Sequence, residues 1–295
     1  MSLSAFAQLV ALSALWGASF LFIRIASPAL GPLVLAGLRI GLATLTLALI
    51  MRALKHRWPW QHARQLLWIS LTAVAVPFLL FAWAGLHLPS SYSALINTSY
   101  VMFGCLFAAW MKVDTLTFRK LAGCLVGMAG IGMIVQLGPI SLSPIVLLAC
   151  LAALLASVCY GMAVPLTKKA LAQIEPLPVA AMTHLWSMVL IAPLAVYGVP
   201  QANWSTQALL ATAVMGIVTS GMAFWLHLRV MRHISSTAAM SPAFMIPIFG
   251  VLWGHLFLAE PLSSGMLAGA ALALVAIALI SDLKLFGADA ANATP

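Results

Sequence analysis

Arg39 combines charge and depth in a way that calls for a partner, because it lies within a stretch of otherwise apolar residues. It falls about seven residues inside the outer end of that stretch, ~10 Å at helical rise. A guanidinium that deep in a hydrocarbon layer costs on the order of 2.5–3.5 kcal/mol to insert, so it either faces a polar cavity or snorkels to the outer surface. A cavity-facing Arg39 is the expectation. Ser93, Asn97, Tyr100 and Gly104 recur at i, i+4, i+7 and i+11 and so share one helix face. That polar stripe either turns toward a cavity or satisfies hydrogen bonds between helices. Thr237, Ser241 and Phe244 form a comparable face further on, where Pro242 and Pro247 free backbone carbonyls for ligands or hinges.

Trp16, Trp83, Tyr160, Trp186 and Trp225 stand away from the loops and either pack or wall a binding space. The candidates for contact with a small molecule are Trp16, Arg39, Trp83, Ser93, Asn97, Tyr100, Tyr160, His184, Ser241 and Phe244. Arg24, at the outer end of its stretch, reads as an interfacial anchor. No catalytic residue is assigned: His184 and His227 are isolated, His255 has no HExxH partner, and no GxSxG occurs. An intramembrane enzyme is a remote alternative, as is a receptor or structural role. Cys105, Cys124, Cys150 and Cys159 lie in apolar segments without CxxC spacing or a His cluster. They read as inert thiols, so no metal and no cofactor is expected. Asp114, Glu175, Glu260, Asp282 and Asp289 fall in gaps, helix ends or the tail, which argues against a carboxylate proton relay.

These residues ride on ten apolar stretches of roughly 20 residues each, near 6–25, 32–51, 65–85, 90–110, 119–137, 144–166, 178–198, 206–228, 235–258 and 264–281. Composition agrees, with 64% hydrophobic and only 6% charged residues, against about 25% charged in a globular domain. The net charge of +9 does not signal nucleic acid, because the basic residues sit in alternate gaps rather than on one stripe. Arg52, Lys55, Arg57 and Arg64 follow the second stretch, Lys112, Arg119 and Lys120 the fourth, Lys168 and Lys169 the sixth, and Arg229 and Arg232 the eighth. With Lys284, twelve of the 14 Lys and Arg residues lie on one side, which predicts cytoplasmic N and C termini. The first stretch lacks a preceding basic region and is longer than a signal-peptide core, so it is expected to remain as a membrane helix. Trp58, Trp60 and Trp204 suit the interfacial belt.

The chain also repeats. Trp16-Gly17 pairs with Tyr160-Gly161 and Pro32-Leu33 with Pro176-Leu177 at an offset of 144 residues; Ser90-Ser91 pairs with Ser235-Ser236 at 145. The segment Asp114 to Gly123 pairs with Glu260 to Gly269 at 146. Two copies of a five-helix unit fill the chain, and an odd number of spans inverts the second copy. The expected fold is therefore an all-α integral membrane protein with ten transmembrane helices in two inverted five-helix repeats, over 1–138 and 142–284, with a short cytoplasmic tail over 285–295. Inverted repeats are typical of secondary transporters. At the 144 offset Arg39 corresponds to Thr183, followed by His184 and, one turn on, Ser187. Gly123-xxx-Gly127 and Gly269-xxx-Ala273 permit close helix approach, inside one bundle or in a dimer; a monomer is favoured.

Leu15-Trp-Gly-Ala-Ser-Phe20, Pro32 with Arg39, and the acid–Leu–Leu-Ala-Gly segment resemble the EamA family of the drug/metabolite transporter superfamily over essentially the whole chain. The resemblance implies a 5+5 bundle in the cytoplasmic membrane around a cavity lined by helices one to four and six to nine, with helices five and ten peripheral. It also implies export or exchange of small metabolites, amino acids or related compounds foremost; a broad multidrug exporter is the alternative. The expected partners are a small-molecule solute and membrane lipid. With no carboxylate deep in a helix, transport is expected to be downhill or by exchange, with any proton sensitivity running through His184, the histidine expected near midspan, His227 and His255 lying toward helix ends.

Overall fold

The computed structural model of the protein describes residues 2–84, 87–88, 90–135, 143–258 and 263–280, with backbone alone at 20–21, 24, 82, 90–91, 254 and 257–258. Glu260, Asp282, Lys284, Asp289, the tail over 285–295 and the side chain of Arg24 lie outside this description. The described residues form helices and short turns, with no strand among them. In chain order the helices are α1 (Leu3–Ala53), α2 (Ala63–Ser70), α3 (Val76–Ala84), α4 (Ser90–Thr98), α5 (Tyr100–Trp110), α6 (Phe118–Ile134) and α7 (Pro144–Leu171). They continue as α8 (Pro176–Gly198), α9 (Thr206–Val214), α10 (Ala223–His233), α11 (Ser236–Ala239), α12 (Pro242–Leu258) and α13 (Ser264–Ile280). Among the described residues seven stretches are long and apolar enough to cross a bilayer by length and composition: Ile25–Ala53, Trp60–Phe81, Tyr92–Trp110, Pro144–Leu171, Pro176–Gln201, Thr206–His233 and Ser236–Trp253. Leu3–Ser19 and Ser264–Ile280 are shorter apolar helices.

Helix α1 changes direction at Gly31. There φ is 72° and ψ 160°, a backbone region open essentially only to glycine. The hydrogen bonds show how far the chain turns: Trp16 Nε1 donates to Thr219 O (2.9 Å), and Arg39 Nε donates to the neighbouring Ser220 Oγ (2.5 Å). On a straight helix Trp16 and Arg39 would stand ~35 Å apart, so the two limbs of α1 must fold back on each other. The expected loop over 26–31 is helical up to the break. Ala26 and Leu30 are fully buried against Ala208, Ala211 and Met215, and Asn203 N donates to Ala29 O (2.7 Å), a carbonyl the break would otherwise leave open.

Two π-helical segments interrupt the later rods. Leu71–Ala75 links α2 to α3, and Met215–Met222 links α9 to α10; their first residues are 144 apart, the offset that also pairs Pro32 with Pro176. Two turns do similar work nearby. Ser99 separates α4 from α5, its hydroxyl donating to Ile96 O (2.6 Å), while Met240 and Ser241 separate α11 from α12. These interruptions widen or bend helices where side chains must converge.

Helices α6 and α13 pack face to face through small residues. A Cβ on Gly130 would lie 2.7 Å from Gly269 O, and one on Gly269 would collide with Gly130 O, so the two backbones touch. Gly127 serves another purpose, because a Cβ there would lie 2.5 Å from the Phe244 ring. At the basic ends of the helices two polar knots tie segments together. Lys168 Nζ donates to Met231 O, Arg232 O and Ile234 O (2.6, 3.0 and 2.6 Å), occupying carbonyls that the end of α10 leaves unpaired. Asp114 accepts from Lys120 Nζ (2.8 Å) on one oxygen and from Thr237 N and Oγ1 (3.2 and 2.9 Å) on the other. Burial pushes the Asp114 carboxyl up, but the bonds from Lys120, Thr237 and Thr115 outweigh it and hold the group below its ordinary range.

Candidate functional site

A cavity of about 410 Å³ lies among these helices, within the size range of small-molecule sites. Both limbs of α1, both π segments, α3, α4, α5, α7, α8, α10, α11 and α12 contribute to its wall, and among the described residues α6 and α13 contribute none. Six of the ten candidate residues meet here: Trp16, Arg39, Asn97, Tyr100, Tyr160 and His184. The other four lie elsewhere. Trp83 packs in a cluster with Ala84, Leu88, Ala149 and Ala153 and sets its ring edge-on to His87 at 5.1 Å. Ser93 is half-buried outside the wall, Ser241 is fully buried, and Phe244 fills the space above Gly127 with no exposed surface. Asn97 at the end of α4 and Tyr100 at the start of α5 reach the wall from either side of the break at Ser99, while Ser93, one turn earlier on α4, does not.

Arg39 is held at one edge and free at the other. Its Nε donates to Ser220 Oγ and its guanidinium lies 5.4 Å from the Phe78 ring centroid, while neither Nη group meets a hydrogen-bond acceptor among the described residues. Among the described residues no carboxylate stands in the cavity wall. Arg39, the one Lys or Arg among the described wall residues, therefore presents an open fork of N–H donors to the cavity, a geometry matched to a planar carboxylate.

Aromatic rings and two histidines make up much of the remaining wall. Tyr160 stacks on Phe81 and meets Tyr100 edge-on, both at 6.1 Å, and Tyr100 Oη donates to Met240 O (3.4 Å). His184 packs edge-on against Phe224 at 4.9 Å, with its Nδ1 3.0 Å from Ala180 O. His227 sits 5.2 Å from Trp16. Its place corrects an expectation: α10 runs to His233 rather than ending near 228, so His227 lies well inside the helix and on the cavity wall beside His184. The sequence reading also missed Phe78, Ser220 and Phe224. A Phe in an apolar helix carries no sign of which face it occupies, and Ser220 becomes informative only when the π segment turns it toward Arg39.

Thr167 and Met231 line the cavity immediately beside the Lys168 knot, so the basic-end tether adjoins the wall of the site. Thr183, which corresponds to Arg39 in the second half, is fully buried without a hydrogen-bond partner for its hydroxyl, and Ser187 pairs with Ser70 at 2.8 Å. The pseudo-equivalent positions thus differ in chemistry, one cationic and the other packed away.

Comparison with known proteins bears on the whole chain. The model of the EamA-like transporter family matches residues 4–136 and again 147–282. A protein of Bacillus subtilis called uncharacterized transporter YoaV is 21% identical over 269 residues, spanning 90% of this chain and 92% of its own length. A probable terminal-alkyne amino-acid exporter of Streptantibioticus cattleyicolor is 25% identical over 276 residues, spanning 92% and 91%. One crystal structure superimposes with a TM-score of 0.82 at 18% identity, covering 94% of this chain and 98% of the other, so the two share a fold. With its apolar helices long enough to span a bilayer and family matches along both halves, the chain is a multi-pass protein of the cytoplasmic membrane and belongs to the EamA-like transporter family.

Proposed function

We propose that the protein is a secondary transporter that exports or exchanges small organic metabolites, amino acids or related compounds foremost, by alternating access. The observation that carries this reading is the cavity inside a membrane helix bundle, with the free N–H fork of Arg39 in its wall. In the proposed topology ten helices form two inverted five-helix repeats, and both termini face the cytoplasm. The two π segments at equivalent positions, the two family matches and the one-sided basic gaps support that arrangement. Arg39 orients the solute's carboxylate, Trp16, Tyr100 and Tyr160 hold its apolar body, and Asn97 and His184 supply polar contacts. The relative named as a probable amino-acid exporter supports the substrate class.

Alternating access then needs the cavity wall to open at one membrane face and close at the other. The π segments and the turns at Ser99 and Met240 are the bending points, because helical bonding is already interrupted there. The test is flux of labelled amino acids, organic acids, nucleosides and cationic dyes in proteoliposomes. Saturable flux of at least one solute, faster when the same solute is present on the far side, is the expected result. Absence of flux for all four classes with folded, reconstituted protein would overturn the transport reading.

A further inference from the structure

The wall of the cavity is electrically one-sided. Arg39 supplies a permanent positive charge, and among the described residues no carboxylate in the wall answers it and its two Nη groups have no acceptor. The protein leaves this charge unneutralised in a site surrounded by membrane helices, where water screens it poorly and an unpaired ion is costly. A bound carboxylate would satisfy the fork and cancel the charge together. A solute that also brings an ammonium restores the net positive charge and meets no counter-ion in the wall.

We propose that the site selects by net charge: its preferred solute is a monocarboxylate whose second polar group is neutral, such as a hydroxy acid or an N-acylated amino acid, with a flat apolar body. The zwitterionic amino acid is a weaker ligand, and a cation carrying the same body is excluded. This inference rests on the transport reading above and, within its amino acids and related compounds, ranks the related monoanions ahead of the free amino acids. The apolar body lies among Trp16, Phe78, Tyr160 and Phe224, and Phe78 also faces the guanidinium, so a ring can pack beside the carboxylate that Arg39 holds. Ser220 is a positioning residue: by accepting the Nε–H hydrogen bond it occupies that edge of the guanidinium and leaves the Nη groups for the cavity.

A series on one skeleton separates the charge states: 3-phenyllactate, N-acetylphenylalanine, phenylalanine and phenylalanine methyl ester, at about pH 5.5, where the acids are ionised and the ester is almost wholly cationic, read by thermal stabilisation and by competition for flux. The first two should bind at least ~10-fold more tightly than phenylalanine, and the ester should show no saturable binding. Arg39→Ala should bring the acids and the zwitterion to within ~2-fold of each other, whereas Arg39→Lys, which keeps the charge, should retain their order. Ser220→Ala should weaken the acids while leaving the rank unchanged. Tighter binding of phenylalanine than of the two acids, or transport of the ester, would overturn the charge-selection proposal and leave the transport reading standing. Failure of every solute class to move would instead defeat the reading beneath it.

Discussion

Replacing Asp114 by Asn removes the charge from the knot that ties the loop after α5 to α6 and to the start of α11. The Lys120 and Asp114 side chains are only 6% and 12% exposed, so the substitution strands a shielded ammonium. Stripping one partner from a buried pair typically costs 3–5 kcal/mol. Lys120 keeps its bond to Thr115 O at 2.7 Å and the Asn can still accept from Thr237, which places the expected loss near the lower end, about 3 kcal/mol. Lys120→Met in the same background removes the stranded charge and should recover about 2 kcal/mol. Unfolding by SDS in mixed micelles across the double-mutant cycle measures both numbers. The pH dependence has a definite sign. Because the folded carboxyl is held below its ordinary value, the stabilisation is fully present above about pH 3.9 and is lost as the pH falls through the lower folded value. The knot should therefore contribute equally at pH 5 and pH 7. A loss under 1 kcal/mol in Asp114→Asn, with no recovery in the double variant, would refute the assignment of a shielded pair.

Three other outcomes follow from the same geometry. Gly269→Ala drives a methyl into Gly130 O and should destabilise the protein by about 1–3 kcal/mol in the same assay, while Gly132→Ala, whose Cβ would only just reach a Leu95 methyl at 4.0 Å, should stay within about 0.5 kcal/mol. Solute should equilibrate across proteoliposomes without concentrating under an imposed pH gradient; gradient-driven accumulation that persists in the His184→Ala/His227→Ala double variant would show that coupling runs through neither cavity histidine. Cysteines placed at Lys55 and Lys168 should label from the cytoplasmic side and one at Gln201 from the opposite side, and labelling of all three from one side would end the inverted-repeat topology.

The parts of the architecture governed by hydropathy were legible in the chain. The centres of the apolar stretches fall within helices, since burying a backbone in hydrocarbon leaves helix as the way to pair its polar groups. Arg39 was readable for the related reason that a charge at depth is expensive. The interruptions were not legible. Leu71–Ala75 and Met215–Met222 read as ordinary apolar helix, because nothing in the hydropathy of these residues distinguishes an i→i+5 turn from an i→i+4 one. The end of α10 was set too early for a different reason. Arg229 and Arg232 marked a membrane edge, while the backbone continues helically past it to be capped by Lys168 from α7. Phe244 shows the limit of face arguments: sharing a face with Ser241 placed it near the candidate site, but Gly127 drew its ring into the packed core.

The reversal at Gly31 bears on how the chain is made as well as on how it stands. Two apolar limbs joined through one glycine, with Pro28 and Pro32 on either side, leave no hydrophilic linker long enough to rest in water while the first limb waits in the bilayer for the second. The limbs are suited to leave the ribosome and enter the lipid together, as a preformed hairpin. That hairpin carries Trp16 on one limb and Arg39 on the other, so these two side chains of the cavity wall would be placed before the residues that later bind them, Thr219 and Ser220, have been synthesised. During that interval the guanidinium would have no Ser220 to hold it, which makes the early hairpin the stage of biogenesis most sensitive to what else shelters that charge.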